Sequence, residues 1–79
     1  MPSRVHLVSC ADYERAAVRA AVRQCWQALL PSDFITPGMA VLLKPNVIND
    51  MAPDRAVCTH PEVVRAVAEL ALESGGEVV

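Results

Sequence analysis

The sequence is poor in the residues that build most small specialised sites. Its three cysteines, Cys10, Cys25 and Cys58, are widely spaced, and no Cys-x-x-Cys pair occurs. Neither a zinc site nor a local iron–sulfur site can be assembled from that arrangement within this chain. Reduced, separately packed thiols are the expectation. Aromatics are almost absent, with one Trp, one Tyr and one Phe, and the net charge is −2 with no basic run. A chain with neither a Lys/Arg stripe nor a stacking platform is not expected to bind nucleic acid. No apolar stretch approaches the ~18 residues that mark a membrane span. The N-terminus, "MPSRVHLVSCADYERA", has Arg4 and only a short apolar patch, which makes a poor signal peptide. No membrane insertion and a cytoplasmic location are therefore expected. Lysine is the scarcest charge: Lys44 stands alone beside six arginines.

What is present is apolar and small. The 79 residues hold at most one small domain, yet 53% of them are hydrophobic, mostly Ala and Val rather than aromatic. That is too apolar for disorder. It suits elements that are buried on more than one side.

The elements read as β-α-β-α-β. Arg4–Ser9 alternates and is rich in β-branched residues, as a short strand is. Asp12 is placed to cap the helix expected over Tyr13–Leu30. That helix carries an apolar stripe of Val18, Val22, Cys25 and Leu29, with Arg15, Arg19 and Arg23 on another face. Pro31 stops it, Phe34 and Ile35 are expected to tuck beneath the following loop, and Pro37-Gly38 marks a turn. Ala40–Lys44 is a continuous apolar run, the pattern of a parallel strand covered on both faces. A long polar connection, Pro45–Thr59, leads to a second helix within His60–Gly76, with Val63, Val64, Val67, Leu70 and Ala71 as its stripe. Its N-terminus has two possible caps: a Thr59/Glu62 capping box, or His60 with Pro61 at the first helical position. Gly75-Gly76 stops it, and Glu77–Val79 opens another strand. The fold class is α/β, with part of a parallel sheet and at least two covering helices.

Four residues carry the candidate chemistry. Lys44 ends a strand, and ligands of open α/β sheets bind just beyond the carboxyl ends of strands. Its ammonium can meet an anion as a point charge, and the Asn46 amide can orient a polar group. Thr59 and His60 open a helix whose N-terminus attracts phosphate or carboxylate, and His60 is the candidate for proton transfer. The competing readings are that Lys44 marks the strand's emergence into water and that Thr59 and His60 only cap. His6 reads as an outward strand residue and Cys25 as core. Cys10 follows the first strand, and Asn49, Asp50 and Asp54 lie in a loop that matches no calcium-binding spacing.

The segment "PGMAVLLKPNVIND" with "DRAVCTHPEVVRAVAELALESGGEVV" resembles the domain of unknown function 362 family. These are prokaryotic proteins, some of which carry a ferredoxin-like four-iron four-sulfur segment elsewhere. The likeness rests on Pro37-Gly38, the Lys44-Pro45-Asn46 run, Thr59-His60-Pro61-Glu62-Val63-Val64, Gly75-Gly76 and Val78-Val79. Cys58 departs from it, standing where a second hydroxyl residue is often seen. The resemblance implies an α/β domain of which residues 1–79 are the N-terminal, incomplete portion. It also implies an iron–sulfur-associated, oxidoreductase-like protein whose cluster, if any, lies outside this chain. The expected partner of Lys44, Asn46, Thr59 and His60 is an anionic small molecule or cofactor, with no metal ligands assigned. The alternatives are a non-catalytic interaction module of a redox complex and a truncated product without activity of its own. Self-association through exposed sheet edges is expected as well.

Overall fold

The computed structural model describes residues 3–46 and 59–79. Four elements follow in the order α1 (Arg15–Leu29), β1 (Ala40–Val41), α2 (Pro61–Glu73) and β2 (Glu77–Val78). β1 and β2 pair in parallel, Ala40 opposite Glu77 and Val41 opposite Val78. The chain between them passes through α2, so β1-α2-β2 is a parallel crossover unit and the fold is α/β.

α1 begins two residues later than the sequence pattern predicts. Asp12 does not cap it; its Oδ1 accepts the Glu14 N–H at 2.9 Å instead. Glu14 is the cap, and its carboxylate accepts from the Ala16 and Ala17 amides. The negative charge sits where the helix dipole favours it. At the other end Leu30 is extended, as the residue before a proline tends to be.

Of the two caps the sequence left open at α2, the structure takes His60. The His60 Nδ1 accepts the Glu62 N–H at 3.1 Å, and Pro61 fills the first turn, where no N–H is needed. α2 ends in a Schellman turn: Gly76 N–H reaches Ala71 O and Gly75 N–H reaches Leu72 O, each at 3.0 Å. Gly75 takes the left-handed conformation this turn needs, with φ +93°. Its carbonyl accepts the Gly38 N–H at 2.9 Å, tying the Pro37-Gly38 turn to the end of α2.

The buried apolar residues among those described are Val18 of α1, Ile35 of the connection, and Ala66, Leu70 and Ala71 of α2. Phe34, expected beside Ile35, is exposed. The helices run in the same direction, because ion pairs join them in the same order along both. Arg15 meets Glu62, Arg19 meets Glu69 and Glu73, and Arg23 meets Glu73. Both helix N-termini therefore lie at one end of the fold.

Two strand expectations change. Arg4–Ser9 forms no strand, and Val5 and Leu7 are 81% and 89% exposed. Alternation alone cannot make a strand; a neighbouring strand must take its backbone hydrogen bonds, and neither β1 nor β2 pairs with this segment. β1 is also shorter than Ala40–Lys44 and is covered on one face only. Val41 and Leu43 are half-buried, whereas Ala40, Leu42 and Lys44 between and beyond them are exposed. The unbroken apolar run hides a period of two.

Candidate functional site

β1 carries the backbone out toward Leu43, Lys44 and Pro45, and the N-terminus of α2 comes to meet it. The join is a reciprocal pair of hydrogen bonds. Asn46 N–H donates to Thr59 Oγ1 at 2.9 Å, and Thr59 N–H donates to Asn46 O at 2.8 Å. Two expected site residues thus fasten the strand end to the helix start. The Asn46 amide proposed to orient a ligand is exposed. Between the two segments lies a cleft of about 160 Å³, lined by Leu43, Lys44, Pro45, Thr59, Val63, Val64 and Val67. Lys44 and Thr59 therefore share one cleft.

His60 is turned to other work. Its ring lies on that of Tyr13, which precedes α1, with centroids 3.8 Å apart and planes 4° apart. With Nδ1 accepting from Glu62, the hydrogen-bond network places the proton of the neutral ring on Nε2. Tyr13 also lines a second cleft, of about 420 Å³, together with Cys10, Val18, Val22 and Val63. Val63 alone is common to the two.

Few backbone donors remain for an anion at the start of α2. Pro61 has none, Glu62 N–H is taken by His60, and Val63 N–H bonds to His60 O at 3.0 Å. Glu62 adds an acid to this turn, and its Oε2 is buried. No hydrogen bond reaches that oxygen among the described residues; it is balanced by charge, with Arg15 Nε at 3.4 Å and Arg65 Nε at 3.7 Å. Among the described residues that line the cleft, Lys44 and Thr59 are the ones whose side chains carry hydrogen-bond donors.

The two described thiols, Cys10 and Cys25, have separate partners. Cys10 Sγ donates to Asp12 O at 3.2 Å and Cys25 Sγ to His6 O at 3.7 Å. Cys25 is half-buried and His6 exposed. Cys58, Asn49, Asp50 and Asp54 lie outside the described residues. No group of three or more His, Cys, Asp and Glu side chains gathers among the described residues. Among the described residues, Cys10 and Cys25 alone supply thiols, which does not fit the four-thiolate set of an iron–sulfur cluster.

Composition and spacing pointed to none of Tyr13, Leu43 and the three valines as site residues. Val63, Val64 and Val67 were legible as an apolar stripe, but the stripe does not say which of its members stay open.

The family model described as "Domain of unknown function (DUF362)" matches residues 41–79. A thylakoid-associated protein of Synechocystis sp. is 40% identical over 78 residues, which is 98% of this chain and 24% of the relative. The chain thus spans about a quarter of that protein's length. No solved structure matches. No helix among the described residues is long and apolar enough to cross a membrane.

Proposed function

Since residues 41–79 belong to the domain of unknown function 362 family, we propose that this chain supplies the anionic small-molecule or cofactor site of a larger, iron–sulfur-associated, oxidoreductase-like protein. The observation that carries the site is the shared cleft of Lys44 and Thr59 at the carboxyl end of β1. This is where open α/β sheets bind ligands, and one cation with one hydroxyl donor gives an anion a charge-assisted contact. Asn46 fixes Thr59, and His60, which is not among the residues lining the cleft, serves the site by holding the start of α2.

The site is tested by following the amides of Lys44, Thr59 and Val63 in NMR spectra as acetate or inorganic phosphate is added. Saturable shifts at these positions are expected; none with either anion overturns the reading. The redox part rests on the family resemblance. Iron and sulfide analysis of the full-length protein purified without oxygen tests it, and a cluster-free, colourless protein removes it. A cytoplasmic location belongs to the same proposal. The thylakoid association named for the relative makes cell fractionation its test, and recovery with membranes overturns it. The exposure of Val5, Leu7 and Leu42 favours a second reading, a non-catalytic module whose apolar surface meets another protein of a redox complex.

A further inference from the structure

We propose that the Lys44 cleft takes an amphiphilic monoanion, a single carboxylate carried on a short branched apolar chain; the inference rests on the anion-site reading above and names its ligand class. Three observations converge on it. The wall is aliphatic: Leu43, Val63, Val64 and Val67 line the cleft beside Lys44 and Thr59, which carry the side-chain donors among the described lining residues. Those valines belong to the same α2 stripe as Ala66, Leu70 and Ala71, which are buried, yet all three remain half-open here. Apolar surface left exposed in a concave place is a binding surface for apolar atoms.

The second observation is the shortage of donors. Phosphate sites at helix N-termini work through several free backbone N–H groups aimed at one point. Here the Asn46, Thr59, Glu62 and Val63 amides are all engaged within the protein, and Pro61 has none. Among the described residues this leaves one ammonium and one hydroxyl, which match one carboxylate rather than a polyphosphate. The third is size. A cleft of about 160 Å³ is smaller than the roughly 300–1,000 Å³ of pockets that take drug-sized ligands, which suits a carboxylic acid of a few carbons rather than a nucleotide.

The chain is titrated with acetate, isovalerate and inorganic phosphate, reading methyl and amide shifts of Val63, Val64 and Val67. Burying a methylene is worth about a fourfold gain in affinity, so isovalerate is expected to bind at least about tenfold more tightly than acetate or phosphate. Lys44→Met is expected to lower isovalerate affinity at least about fivefold. Val64→Thr is expected to erase most of the preference for isovalerate over acetate. If acetate or phosphate binds as tightly as isovalerate, and does so through Lys44, the anion site stands and the amphiphilic ligand falls. If isovalerate binds equally well to Lys44→Met, the cleft is merely apolar and the proposal falls. If no anion shifts these residues, the proposal and the anion site fall together.

Discussion

His60 lies flat against Tyr13, ring on ring at 3.8 Å, while its Nδ1 holds the first free amide of α2. One side chain therefore joins the segment before α1 to the start of α2. It does so at the end of the fold where the Lys44 cleft opens.

This double role separates two substitutions. Asn caps helices well but cannot stack, so His60→Asn is expected to cost about 0.5–1.5 kcal/mol, the worth of an aromatic pair. His60→Ala also loses the cap, and a further ~1 kcal/mol goes with it. Urea denaturation of both variants, and of each combined with Tyr13→Leu, measures the coupling. Equal loss in the two single variants would mean that the imidazole cap contributes nothing. Unchanged binding of the cleft's anions by His60→Asn would assign His60 to structure alone.

Glu73 receives both Arg19 and Arg23. Hydrogen bonding from Arg19 is the largest cause holding its carboxyl below the ordinary value of 4.5, with the charges of both arginines and the Arg23 hydrogen bond adding to it. A carboxyl with a depressed folded-state pKa stabilises the fold above its unfolded value. That contribution is fully present above about pH 4.5 and is lost as the pH falls through the lower folded value. Glu73→Gln is thus expected to be less stable than the parent at pH 7, with the gap closing toward pH 3. Salt should shrink the gap at pH 7, since these groups are open to solvent. Urea midpoints from pH 3 to 7 at low and high ionic strength check this. A gap that is constant with pH would show that the seam works by packing rather than charge.

Gly76 packs where a side chain has no room. A Cβ there would come within 2.9 Å of Ile35 Cγ2, 3.1 Å of Val41 Cγ2 and 3.2 Å of Ala71 O. Gly76→Ala is expected to destabilise by about 1–3 kcal/mol, the usual range for overpacking. Gly38→Ala meets nothing within 4 Å but must hold φ +82°, which costs about 1–2 kcal/mol. The melting temperature of each variant tests the two causes. Gly76→Ala should also perturb the Ile35 and Val41 methyl resonances, whereas Gly38→Ala should leave them in place. Identical methyl spectra for both variants would refute the steric account.

What the sequence discloses depends on how local the determinant is. The stripes of both helices, the stop at Pro31 and the Gly75-Gly76 turn depend on neighbours a few residues away, and all are found in the structure. Of the two caps possible at α2, the structure takes His60 with Pro61 and not the Thr59/Glu62 box. Thr59 and Glu62 have the right spacing, but Thr59 Oγ1 is drawn off by Asn46, thirteen residues back, and His60 takes the cap. Arg15, Arg19 and Arg23 were visible as a face, yet their acids lie about fifty residues away and are identified only once the helices dock. Lys44 and Thr59 were expected to meet, because a parallel crossover brings a strand end to the next helix start. The loss of free amides there was not legible, since each is consumed by a tertiary contact or by the cap that won.

The remaining prediction concerns Val5, Leu7 and Leu42. All three are more than three-quarters exposed, and among the described residues few large side chains are buried to offset them. The outer edges of the two-stranded ladder formed by β1 and β2 have no partner among the described residues. Exposed apolar residues beside unpaired strand edges favour pairing with other chains. The 8.5-kDa chain is therefore expected to self-associate in dilute buffer, to bind a hydrophobic dye, and to lose both properties in part when Val5 and Leu7 are replaced by Thr. Light scattering after size-exclusion chromatography gives the mass, and thermal unfolding gives the cooperativity. A monomer that melts in one sharp transition and binds no dye would show that this surface is satisfied without a partner, and the interaction-module reading would lose its support.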